Sequence, residues 1–403
     1  MRKIIHIILV SIIFMMEMAA VRAEAGEGEA RQLRLVLPEN ILDLPRAPST
    51  RQIIYKPKGN GADFTYHHNA VIEFWKGRFY VAWTAAPRSE WTDPFRGMVS
   101  SSENGVDWTE PIDPFGEGDA AYIDYFYQRP GSSSTDRIRA VNCAPRNFLA
   151  TDEKLYLWTL GNVRRDSGRD WLGRIAWTED GETWHEIAPE ELDRLQQDHG
   201  LGNTRNQGSN KKFIHLSDGR LMASGGTTYP ITTDPTGLTG WTGPAIDLGE
   251  CEDPGEPNSY EGPDGVLHGI VRWGTRIWHT YSEDAGNSWT TMTRQEGFPD
   301  NPGNKDFGSL PNGMIWYVGG PKPGSRMELV LGLSRDGWNF DRNYLVRWEP
   351  ITPVWYSEGK SEDRPGYEYP AALYHDGFLY VVYSRTRDWI ELSKVDLSEI
   401  PME

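Results

Sequence analysis

Cysteine is nearly absent from this sequence: Cys143 and Cys251 are the two in 403 residues. That excludes a disulfide framework and any Cys/His cluster with zinc spacing; whether the two meet in one bridge is left open. Basic residues are also short, with 41 Lys and Arg against 58 Asp and Glu and a net charge of −17. A generally acidic surface argues against nucleic acid or an anionic membrane as partner. It does not argue against an acidic small ligand, because one arginine-lined pocket can hold a carboxylate whatever the global charge. Long apolar runs are missing except for Ile4 to Met16, which follows Arg2 and Lys3 and precedes Val21-Arg22-Ala23. The run is shorter than the roughly 20 residues that span a bilayer. It reads as a secretory signal over residues 1–23, and the expected protein is secreted or periplasmic, monomeric and not inserted in a membrane.

The Ala, Leu and Lys runs that long helices favour are scarce too, while Trp (17), Tyr (18) and Gly (42) are plentiful. That balance leans all-β. One pattern recurs: an apolar run, a tight turn usually carrying Gly, then a second apolar run. The copies are AVIEFWKGRFYVAW (Ala70–Trp83), FLATDEKLYLWT (Phe148–Thr159), FIHLSDGRLMAS (Phe213–Ser224), YEGPDGVLHGIVR (Tyr260–Arg272), FGSLPNGMIWYV (Phe307–Val318) and AALYHDGFLYVVYS (Ala371–Ser384). Each is a β-hairpin by turn chemistry. A second pattern follows several of them, cleanest in SEDAGNSW (Ser282–Trp289), with SSENGVDW, WTEDGETW and LSRDGWNF as further copies. In each, a Gly stands three residues before an aromatic, as expected of a turn whose Gly takes a positive φ and whose side-chain oxygens bond turn amides.

Six such units imply radial repetition, which is a β-propeller of four-stranded antiparallel blades rather than a sandwich. Six blades are expected. A seventh stays open if Arg34–Val36 or Gln52–Lys56 pairs with late strands such as Ile390–Lys394. Residues 24–403 then form one domain, with Asp119–Arg139 and Thr227–Asp253 as loops on its faces.

Propeller topology puts the residues before each first strand on one face, with the ends of the second strands; the hairpin turns lie on the other. Counting nine back from each turn Gly gives His68, Asn210, Glu256, Asn304 and Glu368, with His67, Lys211 and Tyr369 beside them and Arg146 at the corresponding place in the second unit. These positions are polar although they precede apolar strands. Convergent polar groups at one channel mouth are the default binding site. Arg272 ends a second strand and Arg326 precedes a third, so both reach this face and suit a carboxylate. Trp91 and Trp273 are the aromatics placed to stack on a sugar ring. His67 and His68 suit proton transfer near neutrality. No motif calls for a cofactor or a metal; a structural Ca²⁺ in a loop stays open.

The box SEDAGNSW resembles the Asp box of the sialidase superfamily, and the resemblance runs over nearly all of residues 24–403. It implies the propeller fold and a carbohydrate-active enzyme, a glycoside hydrolase removing an acidic or deoxy sugar from a glycan. By this resemblance Glu256 and Arg272 look like the family's activating glutamate and second arginine, Arg326 like its third arginine and Tyr369 like its nucleophile. The first arginine is missing, since Tyr66-His67-His68-Asn69 stands in its place. Asp93 and Glu90 are the candidates for the aspartate acid. A His pair here is similar to the branch with rhamnosidase and ulvan-lyase propellers, in which His68 would be the acid or base and His67 would orient it or touch substrate. Two other outcomes follow from the same fold: a uronate lyase, and a sugar-binding propeller without catalysis.

Overall fold

The computed structural model describes residues 31–59, 64–89, 96–116, 144–165, 168–188, 191, 195, 213–301, 303–355 and 365–401, and the backbone alone for 123–128 and 135–140. For 160–165 and 168–173 it likewise describes the backbone alone. Leu33–Glu403 form one compact unit. Their secondary structure is almost wholly strand, arranged in six sheets.

Sheet 1 holds Tyr66–Trp75, Arg78–Ala86 and Arg96–Ser102. Sheet 2 holds Ala144–Ala150, Leu155–Arg165, Gly168–Thr178 and the short His185–Glu186. Sheet 3 is small: Ile214–His215, Leu221–Met222 and Ile231–Thr232. Sheet 4 holds Gly255–Glu261, Leu267–Trp273, Arg276–Ser282 and Thr293–Pro299. Sheet 5 holds Asp306–Ser309, Ile315–Gly319, Leu329–Ser334 and Asn339–Arg347; sheet 6 holds Tyr367–His375, Phe378–Arg385 and Trp389–Asp396.

Alternation of side chains explains how the sheets pack. Along Arg78–Ala86, Phe79, Val81, Trp83 and Ala85 join one apolar cluster with sheet 6, while Tyr80 and Ala82 join another with sheet 2. The same two-residue period supplies a cluster between every successive pair of sheets, and the cluster between sheets 6 and 1 closes the ring. Each blade is therefore buried on both faces, which is why its strands read as near-continuous apolar runs.

The early strands do not found a seventh sheet. Ser49–Tyr55 pairs antiparallel with Trp389–Asp396 as the outer strand of sheet 6, tying the two ends of the described chain together. Arg34–Leu35 pairs parallel with Asn339 and Phe340 at the edge of sheet 5. The segment Asp119–Arg139, expected as a loop, instead contains the paired strands Ile123–Gln128 and Thr135–Ala140, docked on Leu155–Arg165. Cys251 is a buried free thiol, and burial pushes it up to about 11; Cys143 lies outside the described residues.

The Asp boxes are turns, as the sequence indicates. Asp284 accepts the Ser288 N–H at 2.8 Å and the Ser282 hydroxyl at 2.8 Å. Asn104, Asp180 and Asp336 take the matching amides in the other three copies, from Asp107, Thr183 and Asn339. Their glycines all have positive φ: Gly105 73°, Gly181 79°, Gly286 90° and Gly337 76°.

Candidate functional site at the channel mouth

Four of the first strands are irregular where they reach the mouth. Pairing slips between His68 and Val71, Pro145 and Asn147, Gly255 and Asn258, and Glu368 and Ala371. Three residues at these bulges adopt left-handed backbone: Asn69 at φ 57°, Glu256 at 46° and Tyr369 at 54°. Such a φ is uncommon for any residue with a Cβ and costs on the order of 1–3 kcal/mol. A bulge re-aims a side chain out of the strand's strict alternation, and here the re-aimed side chains meet.

Tyr369 and Glu256 come from sheets 6 and 4, yet the Tyr369 hydroxyl donates to Glu256 Oε1. Arg272 Nη2 lies 3.3 Å from the same Oε1, and Arg272 Nη1 lies 3.4 Å from the Tyr369 hydroxyl. Burial, reinforced by the negative Glu256, holds the Tyr369 hydroxyl well above the usual phenol range. The phenol therefore keeps its proton in the resting site, with a carboxylate in contact to receive it. Burial works against the charge on Arg272, but Glu256, Tyr369 and Asp300 outweigh it and keep the guanidinium charged.

A second group borders this one. Glu368 is buried and its Oε2 accepts from both Arg326 and Arg387, the latter at 3.1 Å. Arg326 also stands 5.9 Å from the centre of the Tyr369 ring. Arg387 sits with Thr386 in a left-handed turn, φ 60° and 53°, after Phe378–Arg385. The Arg387 carbonyl accepts the His67 amide at 2.7 Å, which docks the turn beside the first strand of sheet 1. Sequence reading missed Arg387. The signal was present: it follows a second strand, as Arg272 ends one.

The His pair differs from expectation. His68 is 1% exposed, its Nδ1 pairs with Ser384 Oγ at 2.7 Å, and its ring centre lies 4.2 Å from that of Tyr369. Burial, then Arg387, Arg326 and Arg146, hold its pKa well below 6.5. The imidazole is neutral at neutral pH rather than titrating there. His67 is equally buried, with Nε2 on the Phe64 carbonyl at 2.9 Å and Nδ1 accepting the Trp83 indole N–H at 3.0 Å. With both nitrogens engaged inside the protein, His67 fixes the strand and has no ring nitrogen left for substrate.

The other expected residues divide. Arg146 stands half-buried in the first strand of sheet 2, close enough to bear on the charge of His68. Glu368, expected to touch the ligand, instead holds two arginines in place. Trp273 is half-buried and packs against the apolar cluster between sheets 3 and 4, its ring 5.0 Å from that of Trp278. Asn210, Lys211, Trp91, Asp93 and Glu90 lie outside the described residues. Beneath the mouth, Lys305 bonds buried Asp300 at 2.8 Å, and burial pushes the Asp300 carboxyl up to about 6. Among the described residues no cluster of three His, Cys, Asp or Glu is arranged to hold a metal ion, and no helix is long and apolar enough to cross a membrane.

The family model described as a BNR repeat-like domain matches residues 77–381. The chain belongs to that family. No curated protein matches the sequence. Among solved structures, this BNR-repeat chain is similar to a sialidase, with a TM-score of 0.60 at 18% identity over 92% of this chain and 35% of the other. It is also similar to the intramolecular trans-sialidase of Ruminococcus gnavus (TM-score 0.58, 12% identity, 87% of this chain and 98% of the other). The NanB sialidase of Streptococcus pneumoniae matches at 0.56 and 13%, over 88% of this chain and 71% of the other. The BNR-repeat chain thus spans about a third of the length of the first of these and nearly all of the second. At these identities the likeness establishes the fold, a sialidase-type β-propeller.

Proposed function

We propose that the protein is an exported glycoside hydrolase that removes an acidic sugar from the end of a glycan. The observation that carries this reading is the contact of Tyr369, Glu256 and Arg272 at a mouth where Arg326, Arg387 and Arg146 also gather. Four guanidiniums face two carboxylates there, on a chain whose net charge is −17. An anionic ligand is favoured locally against the charge of the whole, and arginine meets a carboxylate in two-point fashion.

In this reading Arg272, Arg326 and Arg387 grip the carboxylate of the sugar. Tyr369 Oη attacks the anomeric carbon while its proton passes to Glu256, and the bond to the leaving oxygen breaks as an acid protonates that oxygen. Glu90 or Asp93, which lie in sequence between Arg78–Ala86 and Arg96–Ser102, is the proposed acid. Water then cleaves the tyrosyl–sugar bond, giving its proton to the conjugate base of that acid, and Glu256 returns a proton to Tyr369. Pairing a nucleophile with an adjacent base is the general means of activating a weak one.

A uronate lyase is the second reading, supported by the neutral imidazole of His68 against Tyr369, since a neutral base beside a phenol suits proton removal. The deciding experiment incubates the protein with fluorogenic sialosides and glucuronides and with oligouronates, following aglycone release, reducing ends and ultraviolet absorbance together. Release of sugar without new absorbance supports hydrolysis. An absorbing unsaturated product supports the lyase. Neither signal on any acidic glycan rejects both.

A further inference from the structure

The axial channel has a second mouth, about five residues further along the first strands and so on the order of 16 Å from Glu256. It opens into a cavity of about 730 Å³. Each of the six first strands sends the same position into it: Glu73, Ala150, His215, Glu261, Ser309 and Leu373, four residues before the turn or its equivalent. Four of these are polar, where a purely structural channel would be lined by small or apolar side chains. Glu73 and Glu261 come from opposite sides of the ring, sheets 1 and 4. Among the described residues no Lys or Arg lines the cavity, whereas arginines crowd the first mouth.

We propose that this cavity is a second carbohydrate site, for an uncharged sugar unit. Its size is that of a ligand pocket, and its lining joins apolar walls to a few polar groups, as such pockets do. Carboxylates are acceptors only and match sugar hydroxyls, which donate. Glu261 is already held in place by the Ser217 amide and hydroxyl at 2.6 Å each, so its carboxylate is pre-positioned. An anionic sugar, by contrast, would meet the carboxylates of Glu73 and Glu261. The inference does not depend on the reading of the first mouth.

The test is saturation-transfer NMR on the full chain with lactose, cellobiose and glucuronate, each alone. The expected result is transfer to at least one neutral disaccharide, kept in Arg272→Ala and reduced at least five-fold in Leu373→Trp, which fills the cavity. Ser309→Trp, at an exposed position, serves as the second filling variant should Leu373→Trp not fold. Transfer to neither disaccharide overturns the proposal. So does transfer that both filling variants leave intact, or glucuronate signal that the filling variants abolish.

Discussion

At the residue scale, the proposed hydrolase site divides into groups assigned to the ligand and groups that hold them. Tyr369, Glu256, Arg272, Arg326 and Arg387 form the first set; Glu368, His67 and Ser384 form the second. Tyr369→Phe keeps the ring contact with His68 and removes only the oxygen proposed as the nucleophile. The expected outcome is a fall in kcat of about 10³-fold or more on an acidic glycoside, with little change in KM, as for loss of a group that acts in the transition state. Arg387→Ala should do the reverse, raising KM by about ten-fold with a smaller effect on kcat, because it removes binding to the carboxylate in ground and transition state alike. Steady-state kinetics of the two variants side by side check the division. Equal effects on kcat in both would place Arg387 in the chemistry and not in the grip. The residues themselves were mostly legible in the sequence, because a polar residue before an apolar strand stands out. Their roles were less so: nothing local announces that His68 is neutral, since its burial in the assembled ring, and then three arginines from distant parts of the chain, bring that about.

At the element scale, turn chemistry was the most legible feature. Gly in a hairpin or an Asp box has a local conformational reason, a positive φ, and the pattern repeats. Bulges were not legible. Glu256 and Tyr369 occupy left-handed backbone without being Gly or Asn, and only the packing of neighbouring first strands keeps them there. The Asp-box aromatics are structural, and beside them Trp338, which follows the box glycine Gly337, is buried and packs edge-on to His268, His279 and Tyr281. Trp338→Ala should destabilise by about 3–5 kcal/mol through the cavity it leaves, with the folded fraction as active as the parent. Gly286→Ala should also destabilise, because φ is 90° and the added Cβ would stand 2.3 Å from Ile231 Cδ1. Urea melts measure both changes. A loss of activity in either variant at unchanged stability would move the working face to the Asp-box side.

At the scale of the whole molecule, six apolar interfaces in a closed ring make the protein one cooperative body, so a buried titrating group anywhere is linked to its global stability. The ring was legible from the repeat, but the closure by Ser49–Tyr55 was not, because pairing between chain ends leaves no local trace. His279 shows the linkage most clearly. It is buried between His268 and Trp338, with Nε2 3.0 Å from His268 Nδ1, and burial lowers its pKa from 6.5 to about 3. Between those two values the unfolded chain binds a proton that the native protein refuses. Stability contributed by neutral His279 is therefore complete above about pH 6.5 and falls as pH drops towards 3. A gap of this size is worth up to about 5 kcal/mol, at 1.36 kcal/mol for each pH unit. His68, also lowered, acts in the same direction. Asp300 acts in the opposite one: raised from 3.8 to about 6, it takes up its proton earlier in the native state and adds stability as pH falls through that window. The expected net result is a loss of several kcal/mol between pH 7 and pH 4, measured by urea unfolding. His279→Asn should lower stability at pH 7, by removing packing and a hydrogen bond, yet flatten the pH dependence by about 2–4 kcal/mol over the same interval. An unchanged slope in that variant would mean that His279 is protonated in the native protein well above pH 3, and that the low-dielectric pocket between sheets 4 and 5 is open to water.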